Sequence, residues 1–195
     1  MTYNSDSHLV VIPTYNEIEN IRLFLDELLE FNISVLIVDD NSPDGTGQVV
    51  EKLASSSSKL HLLKRSGKLG LGSAYRDGFL WGLNKKFSFM VQMDADFSHR
   101  FNDLDNILNE SKTSDLVIGS RYIEGGGSEG WDFKRKLLSK SANLVSRIVL
   151  QSRINDMTSG FRCYSADTLD KIKFQNTKSD GYSFQIEMTM RCEIS

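Results

Sequence analysis

The sequence predicts an α/β protein with a mostly parallel sheet and helices on both faces, on three observations. Short runs rich in valine and isoleucine recur along the chain, as buried strands require. Segments with apolar residues at helical spacing separate them. Their strict alternation calls for right-handed crossovers, which place parallel strands side by side and cover both faces of the sheet.

The first run is HLVVI at 8–12, followed by the periodic segment EIENIRLFLDELLEF at 17–31. SVLIV at 34–38 leads into TGQVVEKLASS at 46–56, and LHLL at 60–63 into GSAYRDGFLWGLNKK at 72–86. FSFMVQM at 87–93 precedes FNDLDNILNES at 101–111, and DLVIG at 115–119 closes the alternation. Beyond about residue 120 come a glycine-rich loop, a basic helical stretch from 133 to 150, and DMTSGFRCY, with no internal repeat.

A chain of 195 residues, 39% hydrophobic and 25% charged, fits one globular domain with a substantial core, residues 1–195. The net charge of -3 argues against a general nucleic-acid binder, which needs a basic surplus to neutralise phosphates. Cys163 and Cys192 are too few for a disulfide framework and lack metal-ligand spacing, so they read as small core residues of a cytoplasmic protein. No secretory signal opens the chain, and no segment approaches the ~18 continuous apolar residues of a membrane span. The expectation is a soluble or peripheral protein.

In a doubly wound sheet the ligand crevice lies beyond the carboxyl ends of the strands. The residues there are PTYNE, DDNSPDGTG, KRSGKLGLGSAY, DADFSH and SRYIEGGGSEG. Asp94 and Asp96 stand two apart after an apolar run, so in an extended strand both carboxylates share one face. Two hard oxygen ligands suit Mg²⁺ or Mn²⁺ shared with a substrate diphosphate. The competing reading is a solvated pair capping the next helix. Asp39 and Asp40 follow another strand, where a carboxylate accepts from a nucleobase or ribose, or merely caps a turn.

The segment GKLGLGSAYRDG at 67–78 brings flexible backbone to a helix start, as phosphate approach requires, yet it matches neither a Walker loop nor G-x-G-x-x-G. Lys68 reaches an anion or is a solvated loop lysine; Tyr75, Phe79 and Leu83 read as core. His99 reads as a third ligand, a proton carrier or a structural ring, whereas His8 and His61 carry no functional signal. From 133 to 153, Leu137, Leu138, Leu144, Val145, Ile148 and Val149 form one stripe flanked by Lys134, Arg135, Lys136, Lys140 and Arg147. Such a helix rests on an anionic membrane or packs on the sheet, and pattern alone favours packing.

Taken in order, VVIPTYNEIENI, VLIVDDNSPDGT, KLGLGSAYRDGF, VQMDADFSH, VIGSRY, DMTSGFRCY and GYSFQIEM resemble glycosyltransferase family 2, and within it the polyprenol-phosphate (dolichol-phosphate) mannosyltransferases. The resemblance implies a Rossmann-like GT-A fold, a nucleotide-sugar donor (GDP-mannose), Mg²⁺ or Mn²⁺, and inversion at the sugar carbon. It implies that Pro13, Tyr15, Glu17, Val38 and Asp40 hold the nucleoside. Asp94, Ala95 and Asp96 match the D-x-D element for metal and diphosphate, with Ala95 at the nucleotide. Arg121 and Arg135 match basic residues near the acceptor phosphate. Ser98 stands where some relatives carry a metal-ligating Gln, so a water completes the shell in this reading.

A polyprenyl phosphate acceptor suits this chemistry, because a phosphate monoester is already a nucleophilic dianion and needs no general base. A peripheral position at the cytoplasmic face of a membrane follows from such a lipid. Transfer from UDP-glucose, or to a glycan hydroxyl, is the alternative on the same fold. A remoter one takes VLIVDD for the acidic pocket of a response-regulator receiver domain; it places the acidic pair one strand too late and finds DADFSH where that family has Met-Pro. Family members carry D-R-x-x-G-x-S-K downstream of GYSFQIEM, so a catalytic domain truncated at Ser195 is expected.

Overall fold

The structure is a computed structural model that describes residues 5–123, 126–127 and 143–195. Among them lie β1 (His8–Thr14), α1 (Ile21–Leu29), β2 (Ser34–Asp39), α2 (Thr46–Ala54), β3 (Leu60–Lys64), α3 (Leu71–Asn84) and β4 (Phe89–Gln92). Then follow α4 (Phe101–Glu110), β5 (Leu116–Ile118), a helix over 143–150 (α5), β6 (Arg162–Ser165), α6 (Ala166–Lys171) and α7 (Gly181–Ile194). Six strands form one sheet in the order β3-β2-β1-β4-β6-β5. β1 to β4 are parallel, and β6 runs antiparallel between β4 and β5.

Strand alternation sorts the apolar side chains into two cores. Val10, Ile12, Val35, Ile37 and Val91 face α1, α2 and α4, meeting Phe24, Leu25, Val50 and Leu104. Leu9, Val11, Leu36, Val38 and Met90 face α3 and α7, meeting Tyr75, Phe79, Phe184 and Met188. All six residues of β2 are buried, as expected of a central strand covered on both faces. α3 lies close to the sheet because Gly78 lacks a side chain; a Cβ there would come within 2.3 Å of Val11 Cγ1.

Strand order reverses between β1 and β4, so the crevice rule points to the loops after these two strands. The first five predicted strands and four predicted helices are present, with ends shifted by a few residues. α1 starts at Ile21, because Glu17–Asn20 form a turn preceded by Asn16 at φ 63°. β6 was not expected: RCYS is short and opens on an arginine.

The 133–150 stretch lies partly outside the described residues. In the described part, Leu144, Val145, Ile148 and Val149 are 56% to 71% exposed, so they do not pack on the sheet as pattern alone favours. Both cysteines are free, and burial pushes the Cys163 thiol up to about 12 and that of Cys192 up to about 11, consistent with inert core sulfurs. No helix among the described residues is long and apolar enough to cross a membrane.

Candidate active site

At the ends of β1 and β2 the paired aspartates divide their work. Asp39 accepts hydrogen bonds from the Thr14 hydroxyl (3.0 Å), the Ser42 amide (3.0 Å) and the Ser42 hydroxyl (2.6 Å), so its carboxylate is spent on the turn. The Ser42 hydroxyl in turn accepts from the Asn16 amide at 3.0 Å, joining the two loops. Thr46, at the start of α2, accepts from the Glu17 amide at 3.0 Å. These bonds fix the PTYNE loop, with Tyr15 and Glu17 half-buried and Lys68 Nζ 4.2 Å above the Tyr15 ring. Pro13 pairs in register with Val38, but the Val38 side chain is fully buried against α3 and cannot touch a nucleoside. Ala95 is likewise packed into the core, leaving only main-chain atoms to either residue's expected role.

Asp40 is held from behind by a residue the sequence reading passed over. Arg65, just beyond β3, places Nη1 2.8 Å from Asp40 Oδ1 and Nε 3.2 Å from Asp77, and donates to the Ser73 hydroxyl. The Leu69 amide donates to Asp40 Oδ2 at 3.0 Å. The only hint of this was a basic residue inside a strand-end loop.

The glycine loop also departs from expectation. The Gly72 amide at the start of α3 donates to Asp180, the N-cap of α7, and Gly70 takes φ 98° where a Cβ would meet the same carboxylate. A helix N-terminus attracts an anion, and here the protein supplies its own. The glycines therefore admit Asp180 where the sequence suggested a phosphate.

Asp94 and Asp96 do not sit in a strand, because β4 ends at Gln92; they occupy the bend after it. Neither caps α4, whose N-cap is Arg100 and receives no side-chain cap, so that competing reading falls. Asp94 accepts from the Tyr75 hydroxyl at 3.2 Å, and His99 Nε2 lies 3.3 Å from its other oxygen. Burial would raise the Asp94 carboxyl, but His99 and Tyr75 outweigh it and hold it below the usual carboxylate range. His99 also stacks on Phe161, with ring centroids 5.0 Å apart. Asp96 is exposed and accepts the Ser98 amide at 3.0 Å.

Across the loop, the Glu17 carboxyl is raised by burial and by the negative charges of Asp96, Asp44 and Asp94. The site thus concentrates like charge that a cation would relieve. Among the described residues no three His, Cys, Asp or Glu side chains converge into a closed metal cage. A divalent ion here would take Asp94 and Asp96 plus outside oxygens, which fits Mg²⁺ or Mn²⁺ on a diphosphate.

Both aspartates line a cleft of about 770 Å³ that runs past His99 to Ser120, Arg121 and Tyr182. Arg121 lies on the far wall, but its fork is turned to Asp156: Nε and Nη2 donate to the two carboxylate oxygens at 2.8 and 2.7 Å, and Nη2 to Thr158 at 2.6 Å. Arg121 therefore stands at the cleft wall as a paired guanidinium, its Nε and Nη2 taken up by the fully buried Asp156 side chain. The signal was an acid within DMTSG, to which the sequence reading gave no role. Arg135 lies outside the described residues.

Asp94 and Asp96 thus lie beyond the switch point of a doubly wound sheet, beside the polar cleft, an arrangement expected of a sheet enzyme with its ligand crevice at the strand ends. The chain belongs to glycosyl transferase family 2, whose model matches residues 9–173. It is 45% identical to "Undecaprenyl-phosphate mannosyltransferase" of Micrococcus luteus, covering 94% of this chain and 76% of that protein. It is 44% identical to "Polyprenol monophosphomannose synthase" of Mycolicibacterium smegmatis, covering 94% and 71%. Among solved structures, S. aureus TarS 1-349 in complex with UDP matches with a TM-score of 0.61 at 18% identity over 95% of this chain. Mannosyltransferase PcManGT from Pyrobaculum calidifontis, in complex with GDP-Man and Mn²⁺, matches with a TM-score of 0.59 at 18% identity over 94%. The chain spans 55% and 52% of those two solved chains. The fold is that of the GT-A glycosyltransferases, which excludes the receiver-domain alternative.

Proposed function

We propose that this chain is the catalytic domain of an inverting hexosyltransferase that moves mannose from GDP-mannose onto a polyprenyl phosphate. The observation that supports this best is the place of Asp94 and Asp96, between the donor-side loops and the cleft walled by Arg121. The names of the two relatives at 45% and 44% identity support the sugar and the lipid phosphate. On the donor side Pro13, Tyr15, Glu17, Asp40 and Lys68 surround the nucleoside, and Val38 and Ala95 contribute main chain. Asp94 and Asp96 would hold a divalent ion, which would supply positive charge to the departing diphosphate. The acceptor phosphate oxygen attacks the anomeric carbon opposite the leaving group, the bond to the diphosphate breaks, and GDP departs.

With a second pKa of about 6, the acceptor is largely a dianion at neutral pH and needs no base. Arg121 lies at the cleft wall with its charge balanced by Asp156, and Arg135 is the second basic residue of this reading. The exposed apolar side chains of α5 support a peripheral position against the cytoplasmic face of a membrane, where the acceptor's tail resides.

The test is incubation of the protein with labelled GDP-mannose, Mn²⁺ and a polyprenyl phosphate, with lipid-extracted label as readout, and a parallel arm with UDP-glucose. Mannosyl lipid should form with the wild type and be lost in Asp96→Asn. Transfer from UDP-glucose but not GDP-mannose, or undiminished transfer by Asp96→Asn, overturns the proposal.

A further inference from the structure

Tyr75 looks like a core residue in the sequence, and most of its ring is one. It is fully buried, stacked on Phe184 with centroids 6.0 Å apart and an interplanar angle of 6°, and beside Phe79 at 5.9 Å. A phenylalanine would pack there as well. The hydroxyl is what needs explaining, because a buried O–H without a partner is costly. Its acceptors are the Met93 carbonyl at 3.4 Å and, closer and charged, Asp94 Oδ1 at 3.2 Å.

Asp94 is confined on its other sides too. His99 Nε2 lies 3.3 Å from Oδ2, and a Cβ at Gly160 would come within 3.0 Å of that same oxygen. Asp94 follows directly after the last tie to the sheet, the Met93 amide on the Val11 carbonyl at 3.3 Å, so its carboxylate takes its direction from side-chain partners. Tyr75 reaches it from α3, a helix packed on β1, β2 and β4 and stacked through Tyr75 on α7. Outer-shell donors of this kind fix ligand orientation, and their loss typically weakens metal binding by about 10- to 100-fold.

We propose that Tyr75 is a positioning residue for the metal site: its buried hydroxyl fixes the carboxylate of Asp94 and thereby sets the affinity for the divalent ion. The inference rests on the metal-and-diphosphate reading of Asp94 and Asp96, but not on the identity of sugar or acceptor.

The experiment uses Tyr75→Phe, which keeps the ring and its stacking. Mn²⁺ is titrated by electron paramagnetic resonance in the presence of GDP, and separately UDP; nucleotide binding in EDTA and the thermal midpoint are measured alongside. The expected result is Mn²⁺ binding weakened about 10-fold or more. Metal-free nucleotide affinity should be unchanged, and the midpoint should fall by no more than about 4 °C. Unchanged Mn²⁺ affinity in the variant, with the wild type binding the ion, overturns the inference alone. An equal loss of Mn²⁺ and metal-free nucleotide binding also overturns it, because Tyr75 would then be supporting the fold at large. A wild-type protein that binds no Mn²⁺ with either nucleotide overturns the inference together with the metal-dependent reading.

Discussion

Replacing Arg162 with methionine tests whether a buried cation holds the cleft wall in place. Arg162 is 0% exposed, and among the described residues its hydrogen bonds go to uncharged acceptors. Nε donates to the Ser159 carbonyl at 2.7 Å and Nη2 to the Met157 carbonyl at 2.7 Å; Nη1 donates to the Gln185 carbonyl at 3.0 Å and the Thr189 hydroxyl at 2.6 Å. Methionine fills much of the volume but donates nothing. The Met157 and Ser159 carbonyls then lose a buried donor at about 1–3 kcal/mol each. Relief of the guanidinium's desolvation offsets part of that, leaving a net loss of about 3 kcal/mol. For a protein of this size that is a large share of a total of roughly 5–15 kcal/mol. Urea unfolding of Arg162→Met against wild type, at equal slope, measures it. A loss under about 1 kcal/mol would refute the reasoning, since relief of desolvation would then have cancelled the cost of both unsatisfied carbonyls.

Two further outcomes follow from the same geometry. Gly70→Ala places a side chain where φ is 98° and ψ 154°, a region nearly reserved for glycine, and pushes Asp180 off the Gly72 amide; urea unfolding should show a loss of about 2 kcal/mol or more. The Asp156 carboxyl, which burial would raise, is held below its ordinary range by Arg121, so its stabilisation is complete above the unfolded value of about 3.9 and is lost as pH falls through the lower folded value. Asp156→Asn should therefore cost about 2 kcal/mol at pH 7, and progressively less as the pH is taken below about 3.9; a cost that grows on acidification counts against the ion pair.

The sheet was readable because β1 and β2, and most of β4, are buried on both faces and so read as near-continuous apolar runs, while the half-buried edge strand β3 still carries three leucines. β6 was not, because the feature that makes RCYS a core strand is the set of main-chain carbonyls receiving Arg162, and nothing in the sequence displays them. The acids at the strand ends were visible as a set. Their separate fates were not, since those depend on donors distant in sequence: Arg65 for Asp40, Tyr75 for Asp94, and Asp156 as the acceptor that turns Arg121 away. Val38 and Ala95 were matched by motif position, which says where a residue lies along the chain but not which way its side chain points. The apolar stripe of α5 was legible as a stripe, but a stripe does not say what it faces.

The strand-end aspartates now form a graded series. Asp39 is spent on its turn, Asp40 is pinned by Arg65 and the Leu69 amide, Asp94 is directed by Tyr75 and His99, and Asp96 stands exposed with the Ser98 amide on one oxygen. Two of the four depend on the opening turns of α3: Arg65 reaches Asp40 while bonded to Ser73, and Tyr75 reaches Asp94 directly. Asp180 anchors the start of that helix through Gly72, so the glycine loop serves the site by fixing α3. A disturbance of the helix start therefore reaches the donor side and the metal side together, whereas loss of the Tyr75 hydroxyl reaches the metal side alone. Gly70→Ala should accordingly weaken GDP and Mn²⁺ binding in parallel, and Tyr75→Phe should separate them.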